Sequence, residues 1–406
     1  MKKYKKEEQQ TRETRKPPKS LLDELVLHGA QQMVQRALEA EVSEYLGRKH
    51  YERQMVKTEK HYRNGFARKR HLTAGCGSFG IRVPRLREHY TSAIVDRYQR
   101  LTPGITELIP QMYLHGLASG DFQQCFGAFL GSQAPLSETS ILRQKQQWEA
   151  EYHAWKKRPL EKEYLYVWAD GVYPKAGSKD EQMAVLVVIG LNRKGEKELL
   201  AIEEGYREST ESWREVFRDL KRRGLQWIGM MIADGVPGWW KALRDAFPTT
   251  RRQRCWVHKM RNILDKVPQT AYDEILQALR EIYHASSKDQ ALGLVKAFVA
   301  HYGHRYPKAI TCLQESLDVL FSYFHFPRQH WKSIKSTNVI ESLFSAVKLR
   351  TDAARRIPKR ESALFLVFKL LLNQQQRLKK IHGFKLVPQT IEHAQSTKNP
   401  KLRIAA

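Results

Sequence analysis

The first hundred residues change from a charged arm to a helical pattern and then to a turn-rich segment. Residues 1 to 20 contain almost no core-forming side chains, which predicts a disordered basic arm. From Leu21 to Leu46 apolar residues recur at roughly helical spacing and Gly47 follows as a stop. This pattern predicts one long helix or a helix pair. In residues 61 to 87, glycines typical of turns separate short segments in which apolar and polar residues alternate, and this pattern predicts a small β element.

Three helical patterns follow between residues 106 and 155. They are interrupted at Gly116 and again at residues 131–135, and Ser119 and Ser137 are suitable N-caps for the second and third helices. Short helices joined by such turns have the proportions of a helix-turn-helix. They are also common in plain helical packing, so both interpretations stay open.

Strand patterns dominate the middle of the chain, and helical patterns return after it. The order β-β-β-α-β-α-β predicts a mixed sheet with an antiparallel meander on one side, which is the order of a ribonuclease H-like core. The fold class is therefore an α/β ribonuclease H-like core interrupted by an all-α insertion, with a mainly α N-terminal region. The predicted divisions are a basic arm (1–20), a helical and small β region (21–100), a helix-turn-helix-like region (101–158), the first part of the core (159–258), an all-α insertion (259–335), C-terminal core helices (336–385) and a tail (386–406).

The net charge of the chain indicates which class of partner it binds. The chain carries 70 Lys and Arg against 43 Asp and Glu, a net charge of +27, and its isoelectric point is near 9.9. Such an excess favours a polyanion, with DNA as the leading partner over an unspecific solvated surface. The β element at 61–87 and the helix bearing Arg143 and Lys145 are candidate DNA contacts.

The cysteines and the N-terminal sequence indicate the cellular compartment of the protein. Four cysteines lie far apart without a Cys-x-x-Cys pair, so neither a disulfide framework nor a treble-clef zinc site is indicated. No signal peptide or membrane span is apparent in the sequence. We expect a cytoplasmic protein with no membrane partner.

Two apolar strand patterns end in an aspartate followed by glycine. They read "VWADGV", ending at Asp170, and "MIADGV", ending at Asp234. Each Asp-Gly alone is most often a turn, but two of them on neighbouring strands would converge at one edge of the sheet. Converging carboxylates are stable together mainly when they share a cation. The pair predicts two Mg²⁺ or Mn²⁺ ions and needs a third carboxylate.

Glu341 is the candidate third carboxylate. Asn338 and Glu341 also make a near-match to a helix capping box, which is the simpler interpretation. On a helix starting near Asn338, Glu341 and Lys348 would share one face beside an apolar stripe formed by Ile340, Leu343, Phe344 and Val347. That face would offer a carboxylate for metal and an amine for phosphate.

These motifs carry a family resemblance. The segments "DGVYPKAG", "DGVPGWWKALRDAFPTTRRQRCWVHKMRN" and "STNVIESLFSAVKLRT" resemble the three motif blocks of the Mutator-like DDE transposases, in particular their bacterial insertion-sequence branch. Similarity at "ALEAEVSEYLGRKHYER" and "IRVPRLR" extends it over most of the chain. The resemblance implies Asp170, Asp234 and Glu341 as the catalytic, metal-binding triad. Lys175 and Arg350 are further candidate DNA contacts beside Lys348.

Cys255 and His258 form a Cys-x-x-His pair that could be half of a zinc site, with His301 and His304 as its second half. No sequence argument brings these halves together. We expect Cys255 to pack at the end of its strand, and His258 to contact phosphate or support the carboxylates.

The sequence thus predicts a metal-dependent transposase that binds terminal inverted repeats and target DNA, cleaves a strand and transfers it. The resemblance implies a homo-oligomer, at least a dimer, acting at a bacterial nucleoid. Two alternatives remain open: a nuclease or junction resolvase with the same core, and a DNA-binding regulator that has lost catalysis.

Overall fold

The chain forms two compact units, residues 1–144 and residues 145–406. A computed structural model describes residues 20–49, 52, 62–115, 117, 122–130, 138–178, 183–206, 209–235, 237–353, 357 and 359–396. The predicted basic arm lies outside the described residues apart from Ser20. Within the described part of the chain, no helix is long and apolar enough to cross a membrane.

The first unit begins with one long helix, α1, at Leu21–Tyr45. Its start is fixed by a reciprocal capping box, in which Ser20 Oγ accepts from the Asp23 N–H at 3.1 Å and the Asp23 carboxylate accepts from the Ser20 N–H at 3.3 Å. Gly47 has a φ of 62°, the left-handed conformation common just after a helix. The predicted helix and its stop are confirmed.

The predicted small β element is present as two separate antiparallel pairs, β1 with β4 and β2 with β3. Their bounds are β1 Arg63–Phe66, β2 Arg70–Ala74, β3 Gly77–Ile81 and β4 Pro84–Leu86. Leu72 and Phe79 from the β2–β3 hairpin pack against Leu38 of α1 in one small core. The hairpin therefore buries its apolar face on the helix.

Three helices follow, as predicted: α2 at Pro103–Leu114, α3 at Phe122–Leu130 and α4 at Glu138–Lys157. Ile105 and Ile109 of α2 pack with Phe126 and Leu130 of α3. The predicted breaks and caps at Gly116, Ser119, residues 131–135 and Ser137 lie outside the described residues.

The second unit is built on a five-stranded mixed sheet in the order β7-β6-β5-β8-β9. The strands are β5 Glu163–Val172, β6 Met183–Leu191, β7 Lys197–Tyr206, β8 Trp227–Ala233 and β9 Arg251–Arg254. β5, β6 and β7 form an antiparallel meander, whereas β8 and β9 run parallel to β5. The predicted meander and crossover pairing are confirmed, and β5 and β8 end at the same edge.

Strand β5 is buried on both faces. Val167 and Ala169 belong to the core that packs helices α5, Thr210–Arg222, and α6, Pro237–Ala246, onto the sheet. Trp168 points to the other face, where its indole N–H donates to the carbonyl of Ser333 at 3.1 Å. Because side chains alternate along a strand, Asp170 belongs to the face of Trp168.

From Trp256 to Ala353, a stretch described without a gap, the chain contains helices and turns and no strand. The helices are α7 Trp256–Leu264, α8 Tyr272–His284, α9 Lys288–Tyr302, α10 Pro307–Gln314, α11 Leu317–Leu320, α12 Trp331–Ile334 and α13 Asn338–Ala353. α13 packs on β5, and a further helix, α14, Arg360–Gln375, packs on β6 and β7.

Two sequence expectations need correction. The strand expected over residues 251–257 ends at Arg254, because Trp256 already begins α7 and its N–H donates to the Lys335 carbonyl at 3.0 Å. The segment expected to be a tail from residue 386 begins with a helix, α15, Val387–Ser396. Val387 and Ile391 are fully buried there, so apolar packing holds this segment in the fold.

Candidate active site

The two predicted aspartates lie at the ends of adjacent parallel strands. Trp168 of β5 is in register with Ile232 of β8, and each aspartate follows two residues farther along its strand. Asp170 is the third residue from the end of β5, and Asp234 comes directly after β8. The carboxyl ends of parallel strands share one sheet edge, so the register brings Asp170 and Asp234 together there, as predicted from the sequence.

Glu341 lies in the first turn of α13. The predicted apolar stripe is buried, with Ile340, Leu343, Phe344 and Val347 between 0% and 3% exposed. The expected helix start is confirmed, since Asn338 is the first helical residue, but the capping partner differs. Glu341 Oε1 accepts a hydrogen bond from the hydroxyl of Thr337 at 2.6 Å, so the carboxylate turns to Thr337 and not to the Asn338 amide.

His258 of α7 lies between the carboxylates. Its Nδ1 is 3.7 Å from Asp234 Oδ1, and its Nε2 is 3.7 Å from Glu341 Oε1. The pKa of His258 is raised to about 9, first by a hydrogen bond with Cys255 and then by the charges of Cys255, Asp234 and Asp170, against the opposing effect of burial. The imidazole is therefore protonated at neutral pH and interacts with all three carboxylates.

One carboxylate oxygen of this group accepts no hydrogen bond from the described part of the chain. Asp234 Oδ1 is buried and makes no hydrogen bond with the residues that the structure describes, because His258 Nδ1 at 3.7 Å is too distant. A buried carboxylate oxygen is costly unless a donor or a cation faces it. Three hard oxygen ligands, one of them buried without a donor, suit Mg²⁺ or Mn²⁺. The residues present therefore fit the divalent metal that the sequence predicts.

The zinc hypothesis for Cys255 and His258 is not completed by His301 and His304. Among the residues that the structure describes, one group of three side chains brings metal-ligating atoms within 4.8 Å of one another, and it consists of Cys255, His258 and Glu341. His301 lies instead beside Glu274 on α9 and α8, with its Nε2 3.9 Å from Oε1. As expected, Cys255 is buried directly after strand β9.

The candidate DNA contacts differ in exposure. Lys175 and Lys348 are exposed, Lys175 after β5 and Lys348 on the same helix as Glu341. Arg350 is only 6% exposed, which leaves little of its side chain for a phosphate. Arg143 and Lys145 lie in α4, and their side chains are outside the described part of the structure.

Comparison with known families decides the class of protein. The family model described as "Transposase, Mutator family" matches residues 1–380. The chain belongs to the Mutator family of transposases. Proteins of this family transfer DNA strands, so the reaction of this transposase is polynucleotidyl transfer.

Similar curated proteins are transposases of bacterial insertion sequences. This transposase is 43% identical to that of element IS6120 of Mycolicibacterium smegmatis, over 66% of this chain and 83% of the relative. It is 38% identical to that of IST2 of Acidithiobacillus ferrooxidans (63% and 87%) and 31% identical to that of ISRM5 of Rhizobium meliloti (82% and 84%). A solved intasome of simian T-cell lymphotropic virus with the PP2A regulatory subunit B56 gamma aligns over 44% of this chain and 55% of that chain. Its identity is 11% and its TM-score 0.18, which carries no argument about the fold.

The sequence did not predict roles for two residues of this transposase that precede Glu341 along the chain: Thr337, which contacts the Glu341 carboxylate, and Lys335. Thr337 is fully buried and Lys335 is 6% exposed. The Lys335 ammonium group donates to the carbonyl of Tyr283 at 2.6 Å. It lies 4.6 Å from the ring centroids of Tyr283 and Tyr323 and 5.6 Å from that of Trp331. Ring faces attract a cation, which offsets part of the cost of burying this ammonium group, so the aromatic cage helps to hold the segment that leads into α13.

Replacing Lys335 with methionine should change how stability depends on pH. Burial lowers the pKa of Lys335 from 10.5 to about 8. Between these values the unfolded chain binds more protons than the folded chain, so the stability that Lys335 contributes rises with pH. Relative to Lys335→Met, the wild type should gain up to about 3 kcal/mol in unfolding free energy between pH 8 and 10.5, as measured by denaturant titration.

The exposed Lys266 provides the matched control. The difference in unfolding free energy between the wild type and Lys266→Met should stay constant over the same pH range. A constant difference for Lys335→Met as well would contradict the prediction.

Proposed function

We propose that this transposase cleaves and joins DNA at a divalent-metal site formed by Asp170, Asp234 and Glu341. The observation that carries the proposal is the meeting of these three side chains around His258, from two strand ends and one helix start. In addition, no described residue donates a hydrogen bond to Asp234 Oδ1, so this oxygen can accept a metal ion. Three carboxylates close together destabilise a fold, because like charges repel, so their presence favours a catalytic role.

Two bound Mg²⁺ or Mn²⁺ ions would activate a water or a 3′-hydroxyl and stabilise the leaving oxygen of an in-line phosphoryl transfer. The residues of the chain have separate tasks. Asp170, Asp234 and Glu341 hold the ions. In the metal-free site, His258 holds a proton between the carboxylates and reduces their mutual repulsion, and its contact with Cys255 keeps the imidazole in place. No covalent enzyme intermediate is needed.

The rest of the proposal follows the organisation of the chain. The meander followed by parallel strands suits a ribonuclease H-like core, with the helices between Asp234 and Glu341 as its insertion. Lys175 and Lys348 are exposed and would bind phosphates, and the N-terminal unit would recognise terminal inverted repeats. Two element ends must be joined, so the active form is at least a dimer, working on DNA in the bacterial cytoplasm.

Metal removal tests the proposal directly. Purified protein is mixed with labelled DNA that carries candidate element ends and with unlabelled target DNA, and both nicked and joined products are scored. We expect both products with Mg²⁺ or Mn²⁺, neither with excess EDTA, and recovery of both when metal is restored in excess.

The products also separate the alternatives. Cleavage without joining would indicate a nuclease or resolvase. Specific binding to element ends without either product, at any concentration of Mg²⁺ or Mn²⁺, would indicate a regulator. Equal activity with and without EDTA would contradict the metal mechanism.

A further inference from the structure

The hydroxyl of Thr337 lies at the centre of the group formed by Cys255, His258 and Glu341. Its Oγ1 is 2.6 Å from Glu341 Oε1, 3.2 Å from Cys255 Sγ and 3.5 Å from His258 Nδ1. We propose that Thr337 is a positioning residue that aims the Glu341 carboxylate at the reaction site. This inference rests on the proposed function, because it assigns Glu341 to the metal site.

The chemistry of the hydroxyl decides which bond it makes. A threonine hydroxyl has one proton to donate, and an ionised carboxylate only accepts. The 2.6 Å separation between oxygens is typical of a charge-assisted hydrogen bond, so the proton points to Glu341. The contact with His258 also falls on Oε1, which leaves Oε2 of Glu341 to face a metal ion.

The backbone on both sides of Thr337 is held in place. The Thr337 N–H donates to Cys255 Sγ at 3.3 Å, and the Trp256 N–H donates to the Lys335 carbonyl at 3.0 Å. The Thr337 carbonyl accepts from the Glu341 N–H at 3.0 Å, which starts α13. Threonine is also stiff about its first side-chain torsion, so its hydroxyl has a defined position.

The same distances argue against a zinc ion as the organiser of this group. Zinc would need a position about 2.0–2.3 Å from a sulfur, a nitrogen and an oxygen ligand at once. The Thr337 hydroxyl occupies the space between Cys255, His258 and Glu341. We therefore assign the group to orientation of Glu341 and not to a separate metal site.

The test compares Thr337→Val, which keeps the shape and removes the hydroxyl, with Thr337→Ser, which keeps the hydroxyl. The matched control is Thr351→Val, since Thr351 is 4% exposed on α13, the helix that Thr337 precedes, and its hydroxyl donates to the Val347 carbonyl at 3.0 Å. Three quantities are measured: the affinity of DNA-free protein for Mn²⁺ by electron paramagnetic resonance, the rate of strand cleavage, and the melting temperature.

We expect Thr337→Val to weaken Mn²⁺ binding and slow cleavage by about 10- to 100-fold, as loss of a residue that orients a metal ligand does. Thr337→Ser should recover most of both, and Thr351→Val should change neither. Wild-type values in Thr337→Val, equal losses in the valine and serine variants, or an equal loss in Thr351→Val would overturn the proposal. A thiolate-to-metal absorption band on adding Co²⁺ to the wild type would also overturn it, because metal would then displace the hydroxyl. If the wild type proves inactive, the proposed function fails. The Mn²⁺ affinities of the variants would still test whether Thr337 positions Glu341.

Discussion

Replacing Asp170 with asparagine is expected to lower the rate of strand cleavage by at least about a thousandfold. Asparagine has nearly the same volume as aspartate but no charge, so β5 and its pairing should be retained while the proposed metal ligand becomes neutral. Charge stabilisation by a metal ion contributes several kcal/mol to a phosphoryl transfer, and each 1.36 kcal/mol changes the rate about tenfold. Cleavage and joining of labelled element ends measure the loss, and DNA affinity should not fall, because a negative charge is removed.

The exposed Asp265, at the end of α7, provides the matched control. Asp265→Asn makes the same chemical change away from the strand ends and should leave the rate within about twofold, as expected for an exposed position. Asp234→Asn should behave like Asp170→Asn. If Asp170→Asn cleaved DNA as fast as Asp265→Asn, the assignment of Asp170 as a metal ligand would be wrong.

DNA affinity should fall steeply with salt. A net charge of +27 favours binding through phosphates, and each phosphate contact releases condensed counterions from the DNA. With 6 to 10 such contacts, the association constant should drop by about 10³ to 10⁵ between roughly 50 and 200 mM salt. Fluorescence anisotropy with a labelled duplex, repeated over a series of salt concentrations, measures the slope. A nearly flat dependence would count against phosphate-dominated binding.

A single lysine on the active-site helix can be tested in the same way. Lys348→Gln on α13 should reduce the salt slope by about one unit if this residue binds a phosphate. Lys221 is also exposed but lies on α5, which packs on the opposite face of the sheet. Lys221→Gln should leave the slope unchanged, so equal effects of the two substitutions would place neither residue at a specific DNA contact.

Local patterns explain what could be predicted from the sequence. The meander and the two aspartate-ending strands follow from apolar runs and turn residues within short windows, and β5 and β8 pair as their order implies. The helix of Glu341 follows from the spacing of its apolar stripe. These features need only near neighbours along the chain, which is why pattern reasoning found them.

Contacts between distant segments explain what was missed. Thr337 and Cys255 are 82 positions apart, so no window of sequence shows that one holds the other. Lysine is almost never fully buried without a partner, and the rings around Lys335 come from Tyr283, Tyr323 and Trp331 on separate elements. The end of β9 was misplaced for a similar reason, because the Trp256 N–H is paired with Lys335 far along the chain.

The aromatic cage around Lys335 affects how stably Glu341 is held near the two aspartates. Asp170 and Asp234 are held by hydrogen-bonded strands, whereas Glu341 follows a segment held by the carbonyl and ring of Tyr283 at the end of α8. Local opening of α8 would remove the Lys335 contacts and loosen the segment that leads to Glu341 while the sheet stays folded. Hydrogen exchange in α8 should therefore report on the mobility of Glu341 in the proposed triad better than exchange in β5.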